Sequence, residues 1–373
     1  MLRQRIFINI HYLEIGGVET SLIGLLHNID YSIYNVDLFI NDPRGEMMKY
    51  IPSEVNVLSS PKAYRFIERP MAEALRKGYL AIVVGRLLSK MAFCLYKRNR
   101  RSEDGSAIFG YVGKYVTPFL PSLKKFGKYD IAISYLTPHN VVLKKVWAKK
   151  KVAWIHTDYS AIDVNPIIEL PVWDGFDKIV SISASVTDGF VSKFPTLKNK
   201  IIEIENFLPE RLILEKSKEF IPLDMPKEVE VINLLTIGRY CFAKRIDEIP
   251  YMASEMKKRG IKFKWYIIGY GSEEEEQKIK SSLDLFNVKN EVILLGKKEN
   301  PYPYIKACDI YIQPSRYEGK SITVREAILL GKSVIIADYP TAQSQFNDER
   351  RGFIGPYSSV DFANYLVDRI QLL

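Results

Sequence analysis

Cysteine is scarce in this 373-residue chain, and the three cysteines, Cys94, Cys241 and Cys308, lie far apart. They form no Cys-x-x-Cys pair, so the sequence offers neither a disulfide framework nor a zinc site. No apolar run approaches the roughly 18 to 20 residues that a membrane-spanning helix needs. The first residues also lack the apolar core and cleavage site of a signal peptide. These absences predict a cytoplasmic protein that does not span a membrane.

Two common nucleotide-binding signatures are missing as well. The two Gly-Lys-Ser sequences, at 319–321 and 331–333, are preceded by Pro314 and Glu326 where a P-loop requires its first glycine. A P-loop ATPase is therefore excluded. No Gly-x-Gly-x-x-Gly follows a candidate strand with an acidic residue roughly 20 positions later, so NAD binding is not expected.

What is present is typical of a two-domain α/β protein. The chain is 47% hydrophobic and 26% charged, which supplies enough apolar material for packed cores, and it exceeds the roughly 250 to 300 residues of one core. Short β-branched runs alternate with helical patterns, and a charged stretch at 209–228 separates two series of them. We expect one domain at 1–208 and another at 209–373. The candidate strands are 6–10, 36–40, 55–58, 131–135, 151–155, 178–182 and 201–204, then 230–237, 264–268, 291–294, 310–313 and 333–336.

The positive charge is concentrated in a basic segment at 62–101. Eleven lysines and arginines against two glutamates give this segment the same excess of nine positive charges as the whole chain. Apolar residues are interleaved at helical spacing, which is typical of an interfacial helix lying on anionic lipid. A solvated helix packed by its apolar side fits the same pattern, whereas no nucleic-acid recognition motif is present. The candidate membrane or acceptor contacts are Arg86, Lys90, Lys97, Arg98, Arg100 and Arg101.

The most informative motif runs from Ser315 to Ala327 and places Glu318 and Glu326 with seven residues between them. It follows a candidate strand and opens a helical pattern. Gly319 permits close approach of the backbone. The amides of Lys320, Ser321 and Ile322 would begin the helix, whose positive end suits a diphosphate.

This motif resembles the E-x7-E motif of glycosyltransferase family 4. The resemblance extends through 235–355 and, in the first half, through Gly-Gly-Val-Glu at 16–19 and Trp-Ile-His at 154–156. It implies a GT-B fold, in which two Rossmann-like domains with parallel sheets face each other across a cleft. The acceptor would bind the first domain and a nucleotide sugar the second.

The resemblance also implies roles for individual residues. Glu318 would contact the donor sugar and Glu326 the ribose, while Arg239, after Gly238, and Lys244 would bind the diphosphate. Further donor contacts would come from Gly17, from Gly269 beside the nucleotide, and from Gly296 and Lys297 at the base. His156 would lie near the donor sugar, so the catalytic candidates are Glu318, Arg239, Lys244 and His156.

A metal-independent, retaining reaction is expected. No Asp-x-Asp pair, the arrangement that holds a divalent metal on the diphosphate in the other glycosyltransferase fold, occurs in the chain. Arg239, Lys244 and helix amides would replace the metal, and no other cofactor is indicated. Family 4 enzymes retain anomeric configuration, and no motif identifies the nucleophile of a double displacement. Front-face transfer is therefore the favoured mechanism.

The acceptor is less closely defined. The basic segment suggests a lipid-linked saccharide acceptor, carried on undecaprenyl diphosphate and bound at the inner face of the membrane in surface polysaccharide synthesis. We expect a UDP-linked hexosyl or N-acetylhexosaminyl donor and no nucleic-acid partner. The family's C-terminal helix commonly crosses back to the first domain, and here that crossover would be short or missing. A GT-B phosphorylase or epimerase and a non-catalytic nucleotide-sugar-binding partner of a transferase complex remain as alternatives.

Overall fold

The chain forms two compact units in a computed structural model that describes residues 3–98, 105–346 and 352–372. The first unit is Met1–Phe207 and the second is Leu208–Leu373. The division falls one residue before the position expected from the sequence.

The first unit is built on a parallel sheet, in which seven strands are described, in the order β3-β2-β1-β4-β5-β6-β7. Its strands are β1 Gln4–Ile10, β2 Tyr34–Ile40, β3 Asn56–Val57, β4 Lys128–Ser134, β5 Trp147–Ile155, β6 Lys178–Ser181 and β7 Ile201–Glu203. Its helices are α1 Gly17–Asn28, α2 Met71–Arg76, α3 Leu80–Lys97, α4 Ile108–Val116, α5 Asn140–Lys145, α6 Pro166–Asp174 and α7 Ala184–Lys193.

The second unit repeats this design with six described parallel strands in the order β10-β9-β8-β11-β12-β13. Its strands are β8 Ile232–Ile237, β9 Phe263–Ile268, β10 Val292–Gly296, β11 Ile310–Gln313, β12 Ser333–Ala337 and β13 Gly352–Gly355. Its helices are α8 Glu210–Lys216, α9 Ile249–Lys258, α10 Glu273–Leu285, α11 Tyr302–Ala307, α12 Ile322–Leu329 and α13 Ser359–Gln371.

The strand order determines where a ligand would bind. In the first sheet β1 lies between β2 and β4, and in the second β8 lies between β9 and β11. The order of the strands along the chain reverses at β1 and at β8. In open parallel sheets, ligands bind beyond the carboxyl ends of the strands at such a reversal. The loops that follow β8, β9 and β11 are therefore where the second unit would hold a ligand.

The predicted α/β class with two Rossmann-like parallel sheets is confirmed. Each of the twelve candidate strands overlaps a strand of the structure, and the segment 310–313 coincides with β11. The sequence analysis missed β13, the edge strand that pairs with β12. Its four residues begin and end with glycine, and only Phe353 and Ile354 are apolar, so the run is too short to stand out.

The described part of the basic segment contains the amphipathic helix α3. Its buried residues are Ile82, Gly85 and Ser89, and a Cβ atom on Gly85 would lie 2.7 Å from the carbonyl oxygen of Tyr115, one residue before the end of α4. The other face exposes apolar side chains at helical spacing: Leu80, Val84, Leu87, Leu88, Met91 and Leu95. No helix in the described ranges is both long enough and apolar enough to cross a membrane.

Candidate functional site

Three glycines close the carboxyl ends of β8, β9 and β10 in the second unit. The Gly238 amide donates to the Ile268 carbonyl at 3.0 Å, and the Gly269 amide donates to the Gly296 carbonyl at 3.0 Å. A Cβ atom on Gly269 would lie only 1.9 Å from the carbonyl oxygen of Gly238. Gly296 has a φ of 68°, a conformation that favours glycine. The three predicted glycines therefore lie side by side and form an edge made of main chain.

Two of the predicted catalytic residues form an ion pair at this end of the sheet. The Nζ atom of Lys244 lies 2.5 Å from Oε1 of Glu318. Lys244 ends a short 3₁₀ turn after β8, and Glu318 lies in the loop between β11 and α12. The two residues are 74 positions apart, and the parallel pairing of β11 with β8 brings their loops together.

The Glu318 carboxylate is also fixed by neighbouring side chains to which the sequence analysis gave no role. Gln313 Nε2 donates to its Oε1 at 3.1 Å, and the Ser315 hydroxyl donates to the same atom at 2.7 Å. The Thr341 hydroxyl donates to the Glu318 carbonyl oxygen at 2.9 Å. Gln313 lies two residues before the motif and Ser315 is its first residue, but sequence alone does not show that both side chains turn towards one carboxylate oxygen.

The start of α12 differs in one respect from expectation. The Ser321 amide, predicted to face a diphosphate, donates to Gln345 Oε1 at 2.8 Å. Gln345 Nε2 in turn donates to the Gly319 carbonyl at 3.2 Å. Lys320, Ser321 and Ile322 are all buried. In this structure the Ser321 amide is thus already bonded within the protein, because a glutamine 24 residues later folds back over the loop.

The second glutamate of the motif is buried. Only 3% of Glu326 is exposed, and its Oε1 accepts a hydrogen bond of 3.0 Å from the Tyr302 hydroxyl on α11. Burial raises the pKa of Glu326 to about 8, and the Tyr302 hydroxyl opposes this effect. The carboxyl is therefore largely protonated near neutral pH.

The predicted cations lie in different environments. Arg239 is exposed, and its side chain forms no hydrogen bond or ion pair with the described residues. Lys297 Nζ lies 5.3 Å from the ring centroid of Tyr270, in the loop after β9. Arg245, next to Lys244, is buried and donates to the Tyr357 carbonyl at 2.6 Å. The backbone φ of Arg245 is 54°, in the left-handed region, so its side chain leaves the backbone in a different direction from that of Lys244.

Two predicted residues lie in the first unit. Gly17 is the first residue of α1, after the N-cap Gly16. His156 follows β5, with its ring centroid 4.6 Å from that of Tyr135. Burial lowers the pKa of His156 to about 3. His156 is therefore neutral at physiological pH.

The predicted membrane residues on α3 do not all face solvent. Arg86 donates through Nη1 to the carbonyl oxygens of Phe66 and Arg69, and burial lowers the pKa of its guanidinium. Arg86 therefore stabilises the preceding loop instead of extending from the helix. Lys90 and Arg98 are exposed and Lys97 is half-buried, while Arg100 and Arg101 lie outside the described residues.

Comparison with known proteins connects this geometry to a family. Residues 217–371 match the family model described as glycosyl transferases group 1. The match lies inside the second unit and contains Lys244, Glu318 and Glu326. The match covers less than half of the chain.

Two curated bacterial relatives cover much of the chain. The GtfA subunit of the UDP-N-acetylglucosamine–peptide N-acetylglucosaminyltransferase of Streptococcus agalactiae is 24% identical over 74% of this chain and 60% of its own length. The poly(ribitol-phosphate) alpha-N-acetylglucosaminyltransferase of Staphylococcus aureus (strain COL) is 22% identical over 86% of this chain and 63% of its own length. The chain thus spans about three fifths of each.

Solved structures share the fold at low sequence identity. Anabaena HepE in complex with UDP-glucose superposes with a TM-score of 0.65 at 15% identity, covering 99% of this chain and 90% of that one. A mutant of S. aureus TarM, in complex with fondaparinux, alpha-GlcNAc-glycerol and UDP, gives a TM-score of 0.63 at 14% identity and covers 99% and 93%. These structures show that the fold is GT-B.

Proposed function

We propose that this protein is a retaining glycosyltransferase of family 4 that moves a hexosyl or N-acetylhexosaminyl group from a UDP-sugar to a saccharide acceptor. The observation that carries the proposal is the Lys244–Glu318 ion pair at the carboxyl ends of β8 and β11. It combines a cation and a carboxylate next to the main-chain edge at Gly238 and Gly269, within the region that matches the glycosyl transferases group 1 family.

The cations suit the leaving group. Negative charge develops on a nucleoside diphosphate as its bond to the sugar breaks, so a fixed cation stabilises the transition state more than the ground state. Lys244 is already fixed by Glu318, and Arg239 is exposed with no partner among the described side chains. We propose that these two residues bind the diphosphate without a metal ion.

The two glutamates have different environments that suit different tasks. Glu318 accepts from Lys244, Gln313 and Ser315 through one oxygen, Oε1, which leaves Oε2 to accept from a sugar hydroxyl. Glu326 is buried beside Tyr302 and would bind the ribose hydroxyls. In this proposal Glu318 positions the transferred sugar and Glu326 positions the nucleoside.

Retention follows from transfer on one face of the sugar. The acceptor oxygen forms its bond to the anomeric carbon on the face from which the diphosphate oxygen departs, and the diphosphate takes the acceptor's proton. Lys244 and Arg239 hold that diphosphate in place, and a neutral His156 would lie near the donor sugar. A β-linked product from an α-linked donor would rule out this mechanism.

The choice of donor and acceptor rests on chemistry that the relatives' names share. Both curated relatives are named as N-acetylglucosaminyltransferases, one of them using UDP-N-acetylglucosamine, and UDP is bound in the HepE and TarM structures. We therefore propose UDP as the nucleotide. The acceptor we propose is a lipid-linked saccharide, on undecaprenyl diphosphate, in surface polysaccharide synthesis.

Helix α3 provides the reason to place that acceptor at a membrane. Its apolar face at Leu80, Val84, Leu87, Leu88, Met91 and Leu95 is exposed, and Lys90 and Arg98 are exposed on the same helix and just after it. Apolar side chains flanked by cations bind anionic lipid headgroups. We propose that α3 docks on the anionic inner face of the membrane, from the cytoplasmic side.

The experiment to make first is thermal stabilisation by a panel of nucleoside diphosphates and their sugars in the presence of a chelator. A ligand that binds only the folded state raises the free energy of unfolding by RT ln(1 + L/Kd), where L is the free ligand concentration. We expect a shift with UDP or a UDP-sugar that is lost in Lys244→Ala and kept in Lys262→Ala, a control lysine paired with Glu230 on the surface. No shift with any nucleotide, or equal shifts in both variants, would contradict the proposal.

Turnover is tested separately from binding. The nucleotide sugar that gives the shift is incubated with a lipid-linked saccharide acceptor, and released UDP and glycosylated product are measured. Binding without any release of UDP would favour a non-catalytic nucleotide-sugar-binding protein.

A further inference from the structure

Strand pairing alone does not fix the distance between Lys244 and Glu318. The paired residues of β8 and β11 end at Leu235 and Tyr311, so Lys244 follows nine positions later and Glu318 seven positions later. Each residue therefore lies in a loop beyond the paired part of the sheet. Loops are more mobile than the strands they connect, so further contacts are needed to hold these two loops against each other.

Arg316 connects the two loops through its main chain and its side chain. It lies two residues before Glu318, and its amide donates to the Ala243 carbonyl at 2.7 Å. Its Nη1 atom donates to the Phe242 carbonyl, also at 2.7 Å, and its guanidinium carbon lies 4.2 Å from the centroid of the Phe242 ring. Both carbonyl groups belong to the short 3₁₀ turn that ends at Lys244. Arg316 therefore holds the backbone just before that lysine.

The same guanidinium also binds two carboxylates that follow Lys244 in the chain. Its Nη1 and Nη2 atoms donate to Oδ1 and Oδ2 of Asp247 at 3.0 and 2.9 Å, which is the parallel two-bond geometry of an arginine–carboxylate pair. The Nη2 atom also donates to Glu248 Oε1. Asp247 and Glu248 lie in the next 3₁₀ turn. Arg316 therefore holds the chain on both sides of Lys244.

These contacts occupy the Arg316 side chain within the protein. Only 11% of the side chain is exposed, and four hydrogen bonds account for the four N–H groups of its two Nη atoms. Little of the guanidinium is left to bind a ligand. A lysine would supply one nitrogen atom with three N–H groups and no plane to lie against Phe242. The arrangement therefore requires arginine, and positive charge alone does not satisfy it.

We propose that Arg316 is a positioning residue for transfer, which holds Lys244 beside Glu318 where the lysine meets the charge that develops on the diphosphate. The inference rests on the proposed function, in which Lys244 binds the leaving diphosphate. A cation stabilises a developing charge best when it is already in place, and a misplacement of about 1 Å costs on the order of 100-fold in rate. Arg316 acts through Lys244 and does not itself contact the donor.

Arg316→Lys tests the inference, because it keeps the charge and removes the two-bond geometry. We expect kcat for transfer, measured by release of UDP, to fall on the order of 100-fold. The KM for the nucleotide sugar and the calorimetric Kd of UDP should change much less, as when an interaction acts mainly in the transition state. Arg259→Lys is the matched control, because Arg259 is an exposed arginine of the second unit that donates to Asn364 Oδ1 at 2.8 Å. Its variant should transfer at the wild-type rate.

Asp247→Asn is a second variant, and it covers the case in which Arg316→Lys fails to fold. The amide presents an N–H group where the guanidinium needs an acceptor, so the two-bond geometry is lost while Arg316 remains. We expect kcat to fall again, with the Kd of UDP nearly unchanged. In the double variant kcat should be no lower than in Arg316→Lys alone, since both changes break the same interaction.

The outcomes separate this inference from the proposed function. Wild-type kcat in Arg316→Lys, or an equal loss in Arg259→Lys, would overturn the inference alone. A Kd of UDP that rises as much as kcat falls would also overturn it, because Arg316 would then contact the diphosphate itself. Losses that multiply in the double variant would show that Arg316 and Asp247 act separately, against the inference. A wild-type protein that does not transfer sugar would overturn the proposed function, and this inference with it.

Discussion

The Tyr302 hydroxyl donates a hydrogen bond of 3.0 Å to Oε1 of Glu326 inside the second unit. This carboxyl has its pKa raised from 4.5 to about 8, with burial as the main cause. A carboxyl that holds its proton more tightly when folded stabilises the protein at low pH, and the stabilisation is lost as pH rises towards the folded-state pKa. The Tyr302–Glu326 pair therefore makes stability depend on pH across the neutral range.

Glu326→Gln should remove this pH dependence. The amide cannot ionise, so the free energy of unfolding of the variant should rise relative to that of the wild type between pH 4.5 and pH 8. The difference should change by up to about 1.4 kcal/mol per pH unit. Denaturant unfolding of both proteins across this range measures it. Glu169, whose pKa is also raised, is unchanged in both proteins and cancels in the comparison. Parallel stability curves would contradict the assignment.

Glu318→Gln should separate binding from transfer. The amide is nearly the same size and keeps Ser315 and Gln313 as neighbours, but it loses the charge that fixes Lys244. We expect transfer to fall on the order of 100-fold, as when one preorganised electrostatic contact is removed, with UDP affinity changed much less. Transfer rates and calorimetric UDP binding measured on the same preparation provide the comparison. A variant with wild-type transfer would exclude Glu318 from the reaction.

Gly269→Ala should destabilise the second unit. The new Cβ would lie 1.9 Å from the Gly238 carbonyl oxygen, so the backbone must shift, at a cost of about 1 to 3 kcal/mol. Gly105→Ala is the control, because an added Cβ there meets no atom of the described residues within 4 Å. Denaturant unfolding should distinguish the two, and UDP binding should weaken in Gly269→Ala alone. Equal stability of the two variants would argue against the tight contact.

The membrane proposal depends on charges of α3 that face solvent. Replacing Lys90 and Arg98 together by alanine should weaken binding to phosphatidylserine vesicles by at least tenfold, at about 1 kcal/mol per residue near the surface. Arg211→Ala combined with Lys262→Ala removes the same charge from exposed positions elsewhere and should have little effect. Vesicle flotation measures the lipid binding of both double variants. If the two double variants behave alike, α3 is not the docking surface.

Sequence patterns predicted the sheets well because buried parallel strands are short β-branched runs, as in β11. The resemblance to glycosyltransferase family 4 brought attention to Lys244 and Glu318, and the structure shows that both follow strands that neighbour each other in the sheet. Sequence patterns did not predict that Gln345 would bond the Ser321 amide or that Arg86 would turn inward. Those contacts depend on loop conformations, which local residue patterns do not determine.

The first unit also contains a cavity of about 110 Å³, which was beyond sequence analysis for another reason. His139, Trp154 and Glu169 come from three separate elements, and each is unremarkable in its own segment. No fixed spacing connects them along the chain. Only the packing of α4 and α6 against the ends of β4 and β5 places them around one space.

The contact between Gly238 and Gly269 has a consequence for specificity. A ligand that reaches this edge of the sheet meets peptide groups, whose positions are set by strand pairing and not by the choice of side chain. Substitutions that alter which nucleotide is preferred must therefore act from residues around the edge. If the proposed donor site is correct, we expect Tyr270 and Lys297, which contact each other across the loops after β9 and β10, to be the positions at which nucleotide preference can be changed without disturbing the sheet.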